Sequence, residues 1–101
     1  MTSIKFSQRC YQLLKKVPKG KVTTYKALAQ KLNTYAYQAV GNAMNKNPHT
    51  PLVPCHRVIN SDGKLGGYVA GLANKIKLLK KEGIKIENNK IDLQKYEYHF
   101  R

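Results

Sequence analysis

Acidic side chains are nearly missing from this chain. Five Asp and Glu stand against 19 Lys and Arg, a formal net charge of +14. None precedes Asp62, whereas ten Lys and Arg do. A folded half with no compensating charge repels itself unless a polyanion covers it, so nucleic acid is the expected partner. A lysine-rich solvated surface is the plainer alternative, since Lys outnumbers Arg sixteen to three. Long apolar runs are also lacking: nothing approaches the roughly 20 residues that cross a bilayer. Lys5 and Arg9 are followed by no extended apolar stretch, which argues against a secretory signal. No helix sets an apolar face with bulky anchors against a lysine face, so a membrane surface is not an expected partner. The expected location is cytoplasmic and nucleoid-associated, or nuclear in a eukaryote.

Cysteine is sparse: Cys10 and Cys55. In a cytosolic setting a structural disulfide is not expected. Cys55 and His56 are adjacent, without the usual spacing of metal ligands, so no metal site is expected either. Repeats, low-complexity tracts and linkers are absent. The 101 residues, 42% of them hydrophobic, suit one domain over 1–101 with one modest core.

The apolar spacing predicts mostly helices. Phe6, Cys10, Leu13, Leu14 and Val17 recur at helical intervals until Pro18 and Gly20 end the pattern, which makes Cys10 a small core residue. A second helix starts at Thr23-Thr24, where a hydroxyl can cap free N–H groups, and carries Tyr25, Leu28, Ala29 and Leu32. Asn33-Thr34 forms a turn. A third helix runs through Ala39, Val40, Ala43 and Met44 and stops near Asn47-Pro48. Gly41 inside it costs about 1 kcal/mol relative to Ala, and close approach of another backbone is the expected reason. Two short helices on a tight turn form a helix-turn-helix, whose second helix docks on DNA. The segment from His49 to Ile59 is irregular and proline-marked. Ser61-Asp62-Gly63 and Gly66-Gly67 read as turns. A fourth helix is expected over 74–82, stopped by Gly83. Ile84 and Ile86, then Ile91 and Leu93 beyond Asn88-Asn89, read as a hairpin. The expected fold is thus mainly α, a winged helix-turn-helix-like DNA-binding domain with a small β-hairpin near the C-terminus.

Pro54-Cys55-His56-Arg57-Val58 carries the chemistry. It sets a soft nucleophile beside a base on a constrained backbone. A thiol near neutral pH is mostly protonated until a neighbour takes its proton.

Val53-Pro54-Cys55-His56-Arg57-Val58-Ile59 resembles the active-site signature of the O6-alkylguanine-DNA alkyltransferases. Gly20-Lys21-Val22-Thr23-Thr24-Tyr25 resembles the start of that family's helix-turn-helix, and Ala39-Val40-Gly41-Asn42-Ala43-Met44 its recognition helix, followed by Asn47-Pro48. Gly66-Gly67-Tyr68, Gly71-Leu72, Lys75 and Leu78-Leu79 through Glu82-Gly83 resemble its binding loop and closing helix. The likeness runs over about residues 5 to 97 and implies the catalytic domain alone, without the N-terminal domain of longer members.

The resemblance implies single-turnover transfer of an alkyl group from O6-alkylguanine in double-stranded DNA to Cys55, with no cofactor and no obligatory protein partner. His56 would be the base, through a water, oriented by Glu82. Asn47 would hold the turn. Tyr25 would donate its hydroxyl to a ring nitrogen of the leaving guanine. Contacts to DNA or to the flipped base would come from Tyr25, Gln38, Ala39, Gly41, Val58, Tyr68, Val69 and Lys75, with backbone groups of Cys55 and Val58 reading the base's amino edge. Arg57 would be a structural or phosphate-binding cation. The family usually carries an arginine that fills the gap left by the extruded nucleotide; here that position is Gln38, and slower flipping is expected. The alternative is a lesion sensor that flips the base without removing the alkyl group. Relatives of that kind lack the cysteine.

Overall fold

The computed structural model describes residues 5–47 and 53–100. The expectations that rest on Pro48, His49, Pro51 and Leu52 lie outside the described residues. Helix α1 spans Phe6–Leu14 and buries Cys10, Leu13 and Leu14. Strand β1 is Thr23–Thr24, and α2 follows at once over Tyr25–Lys31. The Thr24 hydroxyl accepts from Ala27 N–H at 3.0 Å, an N-cap that satisfies one orphan donor of the first turn. Asn33 adopts φ 57 and turns the chain, a conformation asparagine tolerates. Helix α3 then covers Tyr37–Asn45. The Tyr11 hydroxyl donates to Ala43 C=O at 2.7 Å and ties α1 to α3. The three helices bury one core of Leu14, Leu28, Ala29, Val40 and Met44, to which Val53, Cys55 and Val58 belong.

A single turn of 3-10 helix, Cys55–Arg57, leads into strand β2, Val58–Ile59. β2 pairs in parallel with β1, Thr23 opposite Val58 and Thr24 opposite Ile59. On the other side of β1, Val22 N–H donates to Tyr96 C=O at 2.9 Å and Val22 C=O accepts from Tyr98 N–H at 2.7 Å. The C-terminal segment thereby lies alongside β1. A second core of Val22, Ile59, Leu65, Leu79, Ile84 and Ile91 adjoins this strand pair through Val22 and Ile59.

Helix α4 spans Leu72–Lys81, two residues ahead of the expected start, because Gly71 at φ 93 supplies the N-cap backbone. Gly83 at φ 90 ends it. The Asn88-Asn89 turn forms, with φ 53 and 59 and a bridge between Glu87 and Lys90. Two consecutive positive φ values are the signature of a tight hairpin turn. The flanking strands do not extend from it. Ile91 N–H donates to Gly63 C=O instead, and Leu93 opens a short helix, α5 (Leu93–Tyr96), capped when the Asp92 carboxylate accepts from Gln94 N–H at 3.0 Å. Gly63 is required at that junction: a Cβ there would lie 2.8 Å from Ile91 O. Among the described residues no helix is long and apolar enough to cross a membrane.

Candidate active site

Cys55 belongs to the first core and opens the 3-10 turn that leads into β2. Pro54 (φ −81, ψ 65) bends the chain so that Cys55 N–H donates to Val53 C=O at 2.8 Å. Arg57 N–H then donates to Pro54 C=O at 2.9 Å and closes the 3-10 turn. The Asn47 side-chain amide donates to the same Val53 C=O at 2.8 Å, so Asn47 pins the bend that precedes the cysteine. Cys55 is 3% exposed. Val58 N–H is taken by Cys55 C=O, and Val58 C=O accepts from Lys75.

His56 is 2% exposed, and its Nε2 lies 2.9 Å from Glu82 Oε2 at the C-cap of α4. Burial pushes the Glu82 carboxyl up, but hydrogen bonds from Arg57 and His56 outweigh it and hold the group below the usual carboxylate range. An ionised carboxylate only accepts, so the proton of a neutral His56 sits on Nε2 and the lone pair on Nδ1. Burial depresses the imidazole below its ordinary value, Arg57 and Lys75 depress it further, and Glu82 opposes them. His56 is therefore neutral near pH 7. Its Nδ1 is buried and has no hydrogen-bond partner among the described residues.

Arg57, expected as a structural or phosphate-binding cation, is bonded inside the fold, and its link to Glu82 is what the sequence does not show. Its Nε and Nη2 donate to both oxygens of Glu82, and Nη1 donates to Val17 C=O at 2.8 Å. The guanidinium holds the carboxylate in place and anchors it to the turn that follows α1. The only signal in sequence is the adjacency of Arg57 to His56. A cleft of about 260 Å³ lined by Lys19, His56, Arg57, Leu78, Lys81 and Glu82 adjoins the triad.

Tyr25 opens α2 half-buried, and burial raises its hydroxyl above the ordinary phenol value, with Cys55 adding to the rise. It is a protonated donor at neutral pH. Tyr68 sets its ring edge-on to His56, centroids 6.3 Å apart. Tyr25 and Tyr68 both pack on the core that contains Cys55. Gly66 lies under Tyr25: at φ 69 a Cβ would meet Asn60 Oδ1 at 3.2 Å and Tyr25 Cε2 at 3.6 Å. Val69, 41% exposed, is on the outer rim of the same loop.

Gln38 is exposed on the first turn of α3, with Ala39 and Gly41 partly exposed beyond it. The expected backbone neighbour of Gly41 is not found: apart from its chain neighbours and the backbone of its own helix, no atom of the described residues lies within 4 Å of where its Cβ would be. The missing side chain leaves open space over α3 instead. Beside this surface, Tyr25, Lys26, Tyr37, Asn60, Ser61 and Asp62 line a cleft of about 470 Å³.

Lys75 needs the larger correction. Expected against DNA, it is fully buried. Its Nζ donates to the carbonyls of Val58 (2.7 Å), Gly67 (3.0 Å) and Leu65. Burial lowers its pKa to about 8. The ammonium joins the active-site strand to the 65–67 loop and presents no charge at the surface.

The profile of a family described as "6-O-methylguanine DNA methyltransferase, DNA binding domain" matches residues 5–84. A bifunctional methyltransferase/endonuclease of Picrophilus torridus is 43% identical over 100 residues, covering 98% of this chain and 34% of that protein. A methylated-DNA–protein-cysteine methyltransferase of Methanosarcina barkeri is 47% identical over 85 residues, 83% of this chain and 51% of the relative. The chain thus spans about a third to a half of the length of these curated relatives. Among solved structures, the O6-methylguanine-DNA methyltransferase of Pyrococcus kodakaraensis superposes with TM-score 0.74 at 45% identity, over 80% of this chain and 47% of that one. Atl1 of S. pombe, in complex with damaged DNA containing O6-carboxymethylguanine, superposes with TM-score 0.86 at 30% identity, over 99% of this chain and 100% of that one.

Proposed function

This chain belongs to the 6-O-methylguanine-DNA methyltransferase family, and from that premise we propose that it repairs DNA by moving an alkyl group from the O6 atom of guanine onto its own Cys55. The observation that carries the reading is the 2.9 Å contact between His56 Nε2 and Glu82, from which the tautomer of His56 follows. Glu82 holds the proton on Nε2. Nδ1 is left as a buried lone pair, one residue from the cysteine.

In the proposed reaction the Cys55 proton passes to His56 Nδ1 through a water. The sulfur attacks the alkyl carbon as the carbon–oxygen bond breaks. Its electron pair moves onto the guanine, where the Tyr25 hydroxyl donates to a ring nitrogen as negative charge grows. The guanine regains one proton, and a thioether remains on Cys55. Glu82 stabilises the imidazolium, and Arg57 keeps Glu82 oriented. Asn47 holds the turn. The target atom lies inside a stacked duplex, so the nucleotide must be extruded, at a cost of a few kcal/mol. α3 would face the DNA, with Gly41 and Ala39 letting the backbone come close and Gln38 reaching the vacated position. Backbone groups of Cys55 and Val58 would meet the base's amino edge, and the Tyr68-Val69 loop would close over it. The chain would correspond to the catalytic domain of longer relatives.

A second reading, lesion binding without transfer, is favoured by one observation: the Atl1 structure bound to damaged DNA covers this chain almost end to end. Cys55→Ser separates the two. Under the transfer reading, the parent protein returns O6-methylguanine in a duplex to guanine, and the variant binds the same duplex and leaves it unrepaired. If parent and variant both bind tightly and neither restores guanine, the sensor reading holds.

A further inference from the structure

Tyr35 and Tyr37 are left unexplained by the site. Tyr35 is 89% exposed and Tyr37 42%. Single exposed aromatics are common on protein surfaces. These two share one stiff turn. Between them Ala36 has φ −80 and ψ 63, and Tyr37 N–H donates to Tyr35 C=O at 2.8 Å, the geometry of an inverse γ-turn. Ala36 N–H donates to the Thr34 hydroxyl at 3.0 Å, a second local restraint. Neither ring contributes to either hydrophobic core. Both lie at the N-terminal end of α3, next to Gln38, and Tyr37 also lines the cleft shared with Lys26 and Asp62.

We propose that Tyr35 and Tyr37 are base-stacking residues, whose rings cover base faces laid bare when a nucleotide leaves the duplex. The inference rests on the reading of α3 as the DNA-facing helix. Every base has a π-face, so an aromatic ring can cover the gap whatever the neighbouring sequence. Gln38 can hydrogen-bond an orphaned base but offers no plane to stack on it. The restrained turn fixes the backbone that carries both rings before DNA arrives, which reduces the ordering entropy of binding.

The test uses the full chain carrying Cys55→Ser, so that no transfer occurs. Fluorescence anisotropy gives its affinity for three otherwise identical duplexes: fully paired, with one O6-methylguanine, and with one abasic site. The Cys55→Ser protein is expected to prefer both altered duplexes over the paired one. Adding Tyr35→Ala or Tyr37→Ala should reduce the abasic preference about 5- to 150-fold, the span of one base–aromatic stack. Tyr35→Phe and Tyr37→Phe should retain it, and the salt dependence should not change in any of them. If the double alanine variant keeps the abasic preference, or the starting protein has none, the stacking proposal is overturned even where methylguanine is bound selectively. If the abasic preference depends on the rings but methylguanine is not preferred, stacking stands and the alkylguanine reading falls.

Discussion

The guanidinium of Arg57 meets the carboxylate of Glu82 edge to edge, Nε to Oε1 at 2.9 Å and Nη2 to Oε2 at 2.6 Å. The carboxylate also accepts from His56, so one acidic group carries three charge-assisted or polar hydrogen bonds. Arg57→Lys keeps the charge and removes the two-pronged geometry. We expect a stability loss of about 1–3 kcal/mol by urea denaturation. We also expect slower single-turnover alkyl transfer, because the His56 partner is held less firmly. Wild-type values for both would contradict the clamp.

The protonation state of His56 makes a pH prediction. Burial holds its pKa below the ordinary value, so the base is available through neutral pH. The transfer rate should fall on acidification, with its inflection below about 6.5. Stability has the same sign. The unfolded chain takes up the histidine proton first, so stability is lost as pH drops below about 6.5. Glu82, whose folded pKa is lowered, contributes stability above about 4.3 that disappears at lower pH. Glu82→Gln removes the partner that opposes the histidine shift and should move the rate inflection to still lower pH. Single-turnover rates across the acid range check this; an inflection above the ordinary histidine value would refute it.

Lys75 is the test of the inner scaffold. Lys75→Met leaves three carbonyls without their shared donor. Each unsatisfied acceptor costs roughly 1–3 kcal/mol, partly offset because a buried charge is also removed. A net loss of about 2 kcal/mol or more is expected, with faster amide exchange around Leu65 to Gly67. Unchanged exchange in that loop would show that the ammonium does not hold it.

Gln38→Arg adds a charged stacking plane at the tip of α3. It should accelerate transfer from duplex substrate and leave transfer from single-stranded substrate nearly unchanged, since no gap needs filling there. Equal rates for the variant and the parent on duplex DNA would remove Gln38 from the account of base extrusion.

Local chemistry made the helices legible. The spacing of Cys10, Leu13 and Leu14, the Thr24 cap and the Gly83 stop all act within one or two turns of chain. The hairpin expectation rested on two short alternations, Ile84/Ile86 and Ile91/Leu93, too brief to separate a strand from a capped helical turn; the Asp92 cap decided for α5. The parallel pairing of Thr23-Thr24 with Val58-Ile59 has no period to read in two-residue strands. The resemblance sets Lys75 against DNA, but its partners are backbone carbonyls that no side-chain pattern reveals. The residues of the Cys55 signature were readable as a group. The Arg57–Glu82–Val17 link was not, since it joins three segments only in the folded chain.

The most direct test is the mass of the protein itself. After incubation with a duplex containing O6-methylguanine, intact-mass and peptide analysis should find one added methyl group, on the Cys55 peptide, in proportion to guanine restored. An unaltered Cys55 peptide after prolonged exposure to excess damaged duplex, under conditions where the protein is bound to it, would contradict the proposed transfer.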